Sequence, residues 1–552
     1  METRSTSGRR KTRPPPRDSA AVLDLPIDQA TLGPVTHAAV ARLLAEVHHG
    51  SRQSFELSHR TLREMTEADS PENILIVECC LEEVKGMLTW PPSAGVHIRG
   101  LRLLCAVTAQ RPAASALALG FGGLHGRVAE LVLAAAEERA PANPTWLLAV
   151  STAVLCLAGF CLLEEGKDML AGEPGLVRAL VDVLGATVHP SLDVALVRLL
   201  GNFMFGRADC VAHAAQHGLV PLLPQLVDNP AVRVETCKLI RAFARWGGEP
   251  ALACARLVPA LCTHIQLDAR LPDREEPCAQ ALYALASILH AVPGAGEELR
   301  ERGQLHALVS VLMVTSLRVV SAAASAVAMA CMNNPRNQAQ AHSRGALGLL
   351  LRPLVNGRAC PPEVASTLLE TLLHLVRDSR ENAEVLASDS RAVKGLVDLC
   401  RCGQDKVEQA CTDLLRLLTN LASKSAAATF RSCKVVEALI RQPYVAASLD
   451  AMSSRLHLLR CFTMDGDYKG VCSRLARADV FQSLLEPPSL PSFDLLNVLR
   501  ILHGLWAVAP QTRRTTALKT RLRETFAAAG AVAPACVHVT QFLKRCAPQF
   551  AC

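Results

Sequence analysis

The chain has 552 residues, half of them hydrophobic but only 4% aromatic. Single hydrophobic cores stop growing beyond about 250–300 residues, so this length and an Ala/Leu-rich composition exclude one large core and favour many small helix–helix interfaces. Of the net charge of +7, four units sit in residues 1–19, where Arg4, Arg9, Arg10, Lys11, Arg13 and Arg17 outnumber Glu2 and Asp18. The near-neutral remainder excludes nucleic acid as the main ligand of the folded part, because phosphate binding needs a concentrated basic face.

Residues 1–35 carry the basic side chains and the triple proline Pro14–Pro16, and are expected to be disordered. Within them, Arg9, Arg10, Lys11 and Arg13 form either a nuclear-import signal or a plain solvated tail. Residues 36–548 read as one array of repeats. The pattern is clearest from Val319 to Leu354. Val320, Ala323, Ala324, Val327 and Cys331 recur at helical spacing, and Asn333, Asn334 and Pro335 stop that helix. A short polar helix and Gly345 follow, and then Leu347, Leu350, Leu351 and Leu354 form a second stripe. Neither apolar helix can bury its face alone, so copies must stack.

The break before the second stripe recurs at Cys80, Gly123, Gly175, Gly218, Leu257, Gly303, Gly345, Arg391, Lys434, Asp479 and Gly530. Ten intervals cover 450 residues, a mean of 45, within the range of armadillo and HEAT repeats and above that of ankyrin or tetratricopeptide repeats. The two longest intervals hold proline-bearing loops, Glu137–Thr145 and Glu486–Ser492, and Leu267–Pro277 reads as a third, charged loop. Trp146–Leu163 is an uncharged run of 18 residues, near the lower limit for a bilayer span. The repeat pattern resumes directly after it, so it reads as a buried helix and no membrane span is expected.

The chain offers little chemistry. Its 21 cysteines include no C-x-x-C pair and mostly lie inside apolar helical runs, as reduced core thiols do. The N-terminus is polar, with no apolar signal region, so a cytoplasmic or nuclear setting is expected. Gly120–Gly126 fails the spacing of a phosphate loop and reads as a helix connection. His48 and His49 are adjacent and expected to diverge, and Asp465–Asp467 reads as a turn. The cluster Arg513, Arg514, Lys519, Arg521 and Arg523 reads as the solvated face of a terminal helix. No catalytic residues, metal ligands or cofactors are expected.

An apolar helix, a short polar helix, a glycine and Leu-Val-x-x-Leu-Val-x-Leu together resemble the armadillo-repeat superfamily, best in residues 196–227 and 319–354. The resemblance covers roughly residues 55–545. It implies an all-α, right-handed α-solenoid of about eleven armadillo-like repeats, whose members act as scaffolds, nucleocytoplasmic transport or nuclear regulatory adaptors, chaperone cofactors, or cytoskeletal and ciliary adaptors. Importin-alpha-like members line their groove with asparagines, each preceded four residues earlier by tryptophan. The matching positions here read Gly159, Asn202, Arg241, Ser287, Met329, Leu375 and Asn420, preceded by Leu155, Arg198, Cys237, Tyr283, Ser325, Thr371 and Arg416. Two asparagines and no tryptophan remain, which disfavours a basic-peptide receptor. Arg198, Arg241 and Arg416, with Asn202, Tyr283 and Asn420 beside them, suit an acidic partner segment instead. The expected role is therefore a non-enzymatic scaffold that holds a protein partner in its groove. The partner's identity, the pathway and the oligomeric state are not written in the sequence.

Overall fold

The computed structural model describes residues 37–435 apart from 67–70, 89–93, 110, 138–143, 187–188, 247, 356–359, 401 and 422–423, together with residue 458. The tail residues Arg9, Arg10, Lys11 and Arg13, the breaks at Asp479 and Gly530, the loop Glu486–Ser492, the Asp465–Asp467 turn and the C-terminal basic cluster lie outside the described residues. Among the described residues every regular element is a helix. No single helix among them is long and apolar enough to cross a membrane.

From α4 onward the helices follow a long–short–medium order that the sequence period dictates. After α1 (His37–His49), α2 (Arg52–Met65) and α3 (Pro71–Met87) come α4 (Ala94–Thr108), α5 (Pro112–Gly120) and α6 (Leu124–Glu137). Next are α7 (Pro144–Phe160), α8 (Glu164–Gly172) and α9 (Leu176–Ala186), then α10 (Pro190–Met204), α11 (Ala208–Gln216) and α12 (Leu219–Asp228). These are followed by α13 (Arg233–Trp246), α14 (Gly248–Ala255) and α15 (Val258–Asp268), and by α16 (Glu275–Ala291), α17 (Ala295–Glu301) and α18 (Gln304–Val311). The order continues with α19 (Leu317–Cys331), α20 (Pro335–Ser343) and α21 (Ala346–Val355), with α22 (Pro362–Val376), α23 (Arg380–Ser388) and α24 (Ser390–Leu399), and with α25 (Asp405–Leu421) and α26 (Lys424–Ser432).

Contacts divide the chain into two compact units: the described residues of Met1–Leu131 with Pro141–Gly166, and those of Val132–Ala140 with Lys167–Cys552. In the first, α3 packs on α4 and α4 on α7. The run around Trp146 is α7, with Val150, Ala153, Val154, Leu157 and Phe160 at 0–2% exposure, so it is a core helix. In the second unit the long helices stack in series, α10 on α13, α13 on α16, α16 on α19, α19 on α22 and α22 on α25. α19 shows why small residues suit this place. Its Val320, Ala323, Ala324, Val327 and Cys331 are buried as the period predicted, and so are Ala322, Ala326, Ala328 and Ala330. A helix flanked by two others keeps only a narrow accessible stripe.

Turn chemistry sets the boundaries. Gly218 (φ 88°) and Gly303 (φ 71°) hold the left-handed conformation that starts each medium helix, which glycine adopts without Cβ strain. Lys434 stands at the same point of its repeat and takes φ 53°, so the break is conformational even where glycine is missing. Asn334 caps α20 by accepting from the Asn337 amide, with Pro335 at the first helical position. Two breaks read from the sequence are displaced. Cys80 lies inside α3, fully buried, and Arg391 is the second residue of α24, whose cap is Asp389. The charged loop is also shorter than expected, because α15 reaches Asp268, a 3-10 turn spans Pro272–Arg274 and α16 begins at Glu275.

The stack is tied together by buried side chains that donate to main-chain carbonyls. Asn337 Nδ2 donates to Ala330 O of its own long helix at 2.6 Å and to Gly296 O of the preceding triplet at 2.9 Å. Gln338 Nε2 donates to Cys331 O at 3.1 Å and to His374 O of the following triplet at 2.9 Å. Asn382 repeats the device 45 residues on, donating to Leu375 O at 2.7 Å and to Gln338 O at 3.4 Å. Lys167, 3% exposed, gives its ammonium to Phe205 O at 2.7 Å. In the first unit Arg99 Nη1 reaches His48 O and Gly50 O, at 3.1 and 2.9 Å, beyond the end of α1. The final carbonyls of any helix lack partners within it; here side chains of neighbouring helices supply them for Ala330, Cys331, His374 and Leu375, while the bonds to Gly296 O and Gln338 O add cross-triplet ties. Asn337→Ala strands the buried Ala330 carbonyl and removes the cross-triplet bond to Gly296 O, and should cost about 2–3 kcal/mol in denaturant unfolding, whereas removing the cap with Asn334→Ala should cost about 1 kcal/mol. Equal losses would show that the cross-triplet bonds add nothing beyond capping.

Candidate partner-binding face

Accessible residues recur at equivalent positions along the long helices of the second unit. Arg198, Arg241, Tyr283, Ser325 and Glu370 each stand eight residues after the start of α10, α13, α16, α19 and α22. One turn further on are Asn202, Arg245, Ser287, Met329 and His374. Arg198, Arg241 and Arg245 are exposed, and Asn202, Tyr283, Ser287, Ser325 and Met329 are partly so. Arg198, Arg241 and Tyr283 thus hold the same helix position, with Asn202 one turn further on, and Arg241 and Tyr283 are in contact. Arg416 and Asn420 lie on α25, beyond α19 and α22 in the stack.

The ladder counted back from the sequence breaks needs correction in two places. On α13 the position equivalent to Asn202 is Arg245, and Arg241 matches Arg198. The link through α14 is short, so counting back from Leu257 lands a turn early. On α22 the count lands on Leu375, which is fully buried, and the accessible residue is its neighbour His374. Cys237 and Thr371 are core residues as well, at 0% and 1% exposure.

Electrostatically, the row is a chain of contacts between neighbouring helices. Arg198 pairs with Glu235 of α13 at 3.3 Å, and Lys238 joins the same carboxylate at 2.9 Å. Arg241 stacks over the Tyr283 ring, 5.5 Å from its centroid, and donates to Gln280 Oε1 at 3.4 Å. Gln280 in turn donates to Glu276 at 3.1 Å, and Glu276 pairs with Arg318 of α19. Arg416 pairs with Asp413, one turn earlier on its own helix, at 3.3 Å. Of the three arginines singled out by sequence, two thus already face carboxylates of this chain. Among the described residues no carboxylate lies within ion-pair distance of Arg241. Its guanidinium lies over the tyrosine ring and donates to an amide oxygen, not a carboxylate.

Sequence reasoning missed the amide and amine side chains behind this face. The short helix α20 is polar in composition, yet its Asn337 and Gln338 are fully buried. A signal existed in the spacing of a capping Asn334 or Ser379 and a second asparagine three residues on, Asn337 or Asn382. His48 and His49 also depart from expectation: their rings stack, with centroids 4.1 Å apart, and His48 Nδ1 sits 2.6 Å from Glu83. Among the described residues no group of three or more His, Cys, Asp or Glu side chains could hold a metal ion. Gly120–Gly126 spans the α5–α6 connection.

No protein-family model matches the chain, and no curated protein sequence matches it. It is similar to the crystal structure of an engineered protein, a Northeast Structural Genomics Consortium target, at 18% identity and a TM-score of 0.62, over 77% of this chain and 99% of that one. Two further engineered proteins from the same consortium, 19% and 20% identical, each match 45% of this chain with TM-scores of 0.38 and 0.39, and cover 96% and 98% of those chains. The first likeness concerns fold alone, and with the all-helical structure it establishes a helical-repeat chain.

Burial, and then the positive charge of Arg377, holds the His374 pKa below its usual value. A histidine lowered on folding stabilises the protein above its unfolded pKa, near 6.5, and that stability is lost as pH falls through the folded value. The unfolding midpoint should therefore fall on acidification below about pH 6.5, and by less in His374→Gln. A variant with the same acid sensitivity as the parent would contradict this environment for His374.

Proposed function

We propose that this chain is a non-enzymatic scaffold, an armadillo-like right-handed α-solenoid that lays an acidic segment of a partner protein along its concave long-helix face. One observation carries the reading: Arg241 is exposed, stacked on Tyr283 and unmatched by any carboxylate among the described residues, as is Arg245 one turn further on, whereas Arg198 and Arg416 are already paired. On the next two long helices Ser287, Ser325 and Met329 are partly exposed, small or flexible side chains suited to an extended peptide. The contact expected of the three sequence-read arginines thus narrows to one, with Tyr283 and Arg245 as neighbours. The reading needs no cofactor and no catalytic group.

Affinity purification from cells expressing the parent, Arg241→Glu and Arg416→Ala chains tests this. A charge-assisted hydrogen bond contributes about 1.5–3 kcal/mol, so Arg241→Glu should lower recovery of the face-bound partner by about tenfold or more. Arg416→Ala should leave recovery within about twofold, as surface ion pairs contribute little, and both variants should keep the helical content of the parent. Recovery of every partner undiminished by Arg241→Glu would overturn the assignment of this face.

A further inference from the structure

Most described thiols are buried singly among apolar side chains or against a carbonyl, as Cys278 is against Ile265 O at 3.8 Å. Cys400 and Cys411 adjoin each other, but both are fully buried, so a soluble oxidant has no direct route to them. Cys105 of α4 and Cys156 of α7 differ. Their sulfurs are 3.1 Å apart, Cys105 is partly accessible and Cys156 is 2% exposed. Each thiol also has a carbonyl at its back, Leu101 O at 3.4 Å from Cys156 and Thr152 O at 4.0 Å from Cys105. The two helices pack directly within the first unit.

We propose that Cys105 and Cys156 form a peroxide-sensitive modification site, where hydrogen peroxide converts the adjacent thiols to a disulfide that staples α4 to α7. The partly accessible Cys105 reacts first. Its thiolate sulfur attacks one peroxide oxygen, an S–O bond forms and the O–O bond breaks. The departing hydroxide takes up a proton and leaves as water. Cys105 is then a sulfenic acid, in contact with the second thiol. The Cys156 sulfur attacks the Cys105 sulfur, the S–S bond forms, the S–O bond breaks and hydroxide leaves with the Cys156 proton as a second water. Two thiols are oxidised, one peroxide is reduced, and a dithiol reductant reverses the change. Closing the sulfurs from 3.1 Å to the bonded distance of about 2.05 Å needs a movement of about 1 Å. Burial, then the hydrogen bond with Cys105, pushes the Cys156 thiol well up, so it stays protonated until its neighbour is activated. The bridge would span 51 residues of chain, long enough to constrain the unfolded state strongly.

The test treats the full chain with graded hydrogen peroxide, alkylates the remaining thiols and maps disulfides by mass spectrometry of unreduced digests. The expected result is a cross-linked peptide joining Cys105 to Cys156, two hydrogens lighter than the pair of thiols and lost on reduction. It should appear before any disulfide from the other described cysteines. In Cys156→Ala, Cys105 should instead stop at a sulfenic acid that dimedone traps. Should that variant fail to fold, the parent map decides alone. Alkylated, unbridged Cys105 and Cys156 in chains whose other thiols have oxidised would overturn the proposal, as would Cys105 advancing to the sulfinic acid with Cys156 still free.

Discussion

A helix ends with carbonyl groups that have no partner inside it, and a stack of buried helices cannot leave them to water. In this chain the neighbouring helix supplies the donor. Asn337, Gln338, Asn382 and Lys167 sit on short helices and reach the carbonyls of long helices or of adjoining triplets. Each unmet carbonyl would cost about 1–3 kcal/mol, so these contacts fix which helices sit side by side. Apolar packing then fills the space between them.

The same constraint produces the accessible row. Positions eight residues from the starts of the long helices carry accessible residues from Arg198 on α10 to Glu370 on α22, and two of them, Arg241 and Tyr283, are in contact. Neighbours in the row neutralise each other across helices, as Arg198 does with Glu235 and Arg318 with Glu276. Arg241 and Arg245 have no such partner among the described residues; the neighbour of Arg241 on the next helix is Tyr283, which offers a ring and not a charge.

Much of this fold was legible in the sequence, and the reasons are local. The stripe from Val320 to Cys331, the stop at Asn333–Pro335 and the left-handed glycines at Gly218 and Gly303 follow from side-chain period and backbone sterics. Phase was harder to read. Cys80 resembled a break because the residues after it form a stripe, yet α3 runs through it without interruption. The site suffered from the same error, since a short link before α15 moved the count from Arg245 to Arg241, and buried Leu375 replaced His374. Pairing was not legible at all. Nothing in the sequence tells that Glu235 faces Arg198 whereas Arg241 meets Gln280 and Tyr283 and no carboxylate among the described residues, because that depends on side chains brought together from helices some 40 residues apart. The buried asparagines were hidden by composition, which marks α20 as polar without showing which way its amides point.

Native-state hydrogen exchange tests the central claim, that each long helix of the second unit is held by the triplets on either side. If stability is built from nearest-neighbour contacts, amide protection should be greatest in α16 and α19 and decline in steps toward α10 and α25. Protection that is uniform across all six long helices, from α10 to α25, and lost in a single global step would contradict it.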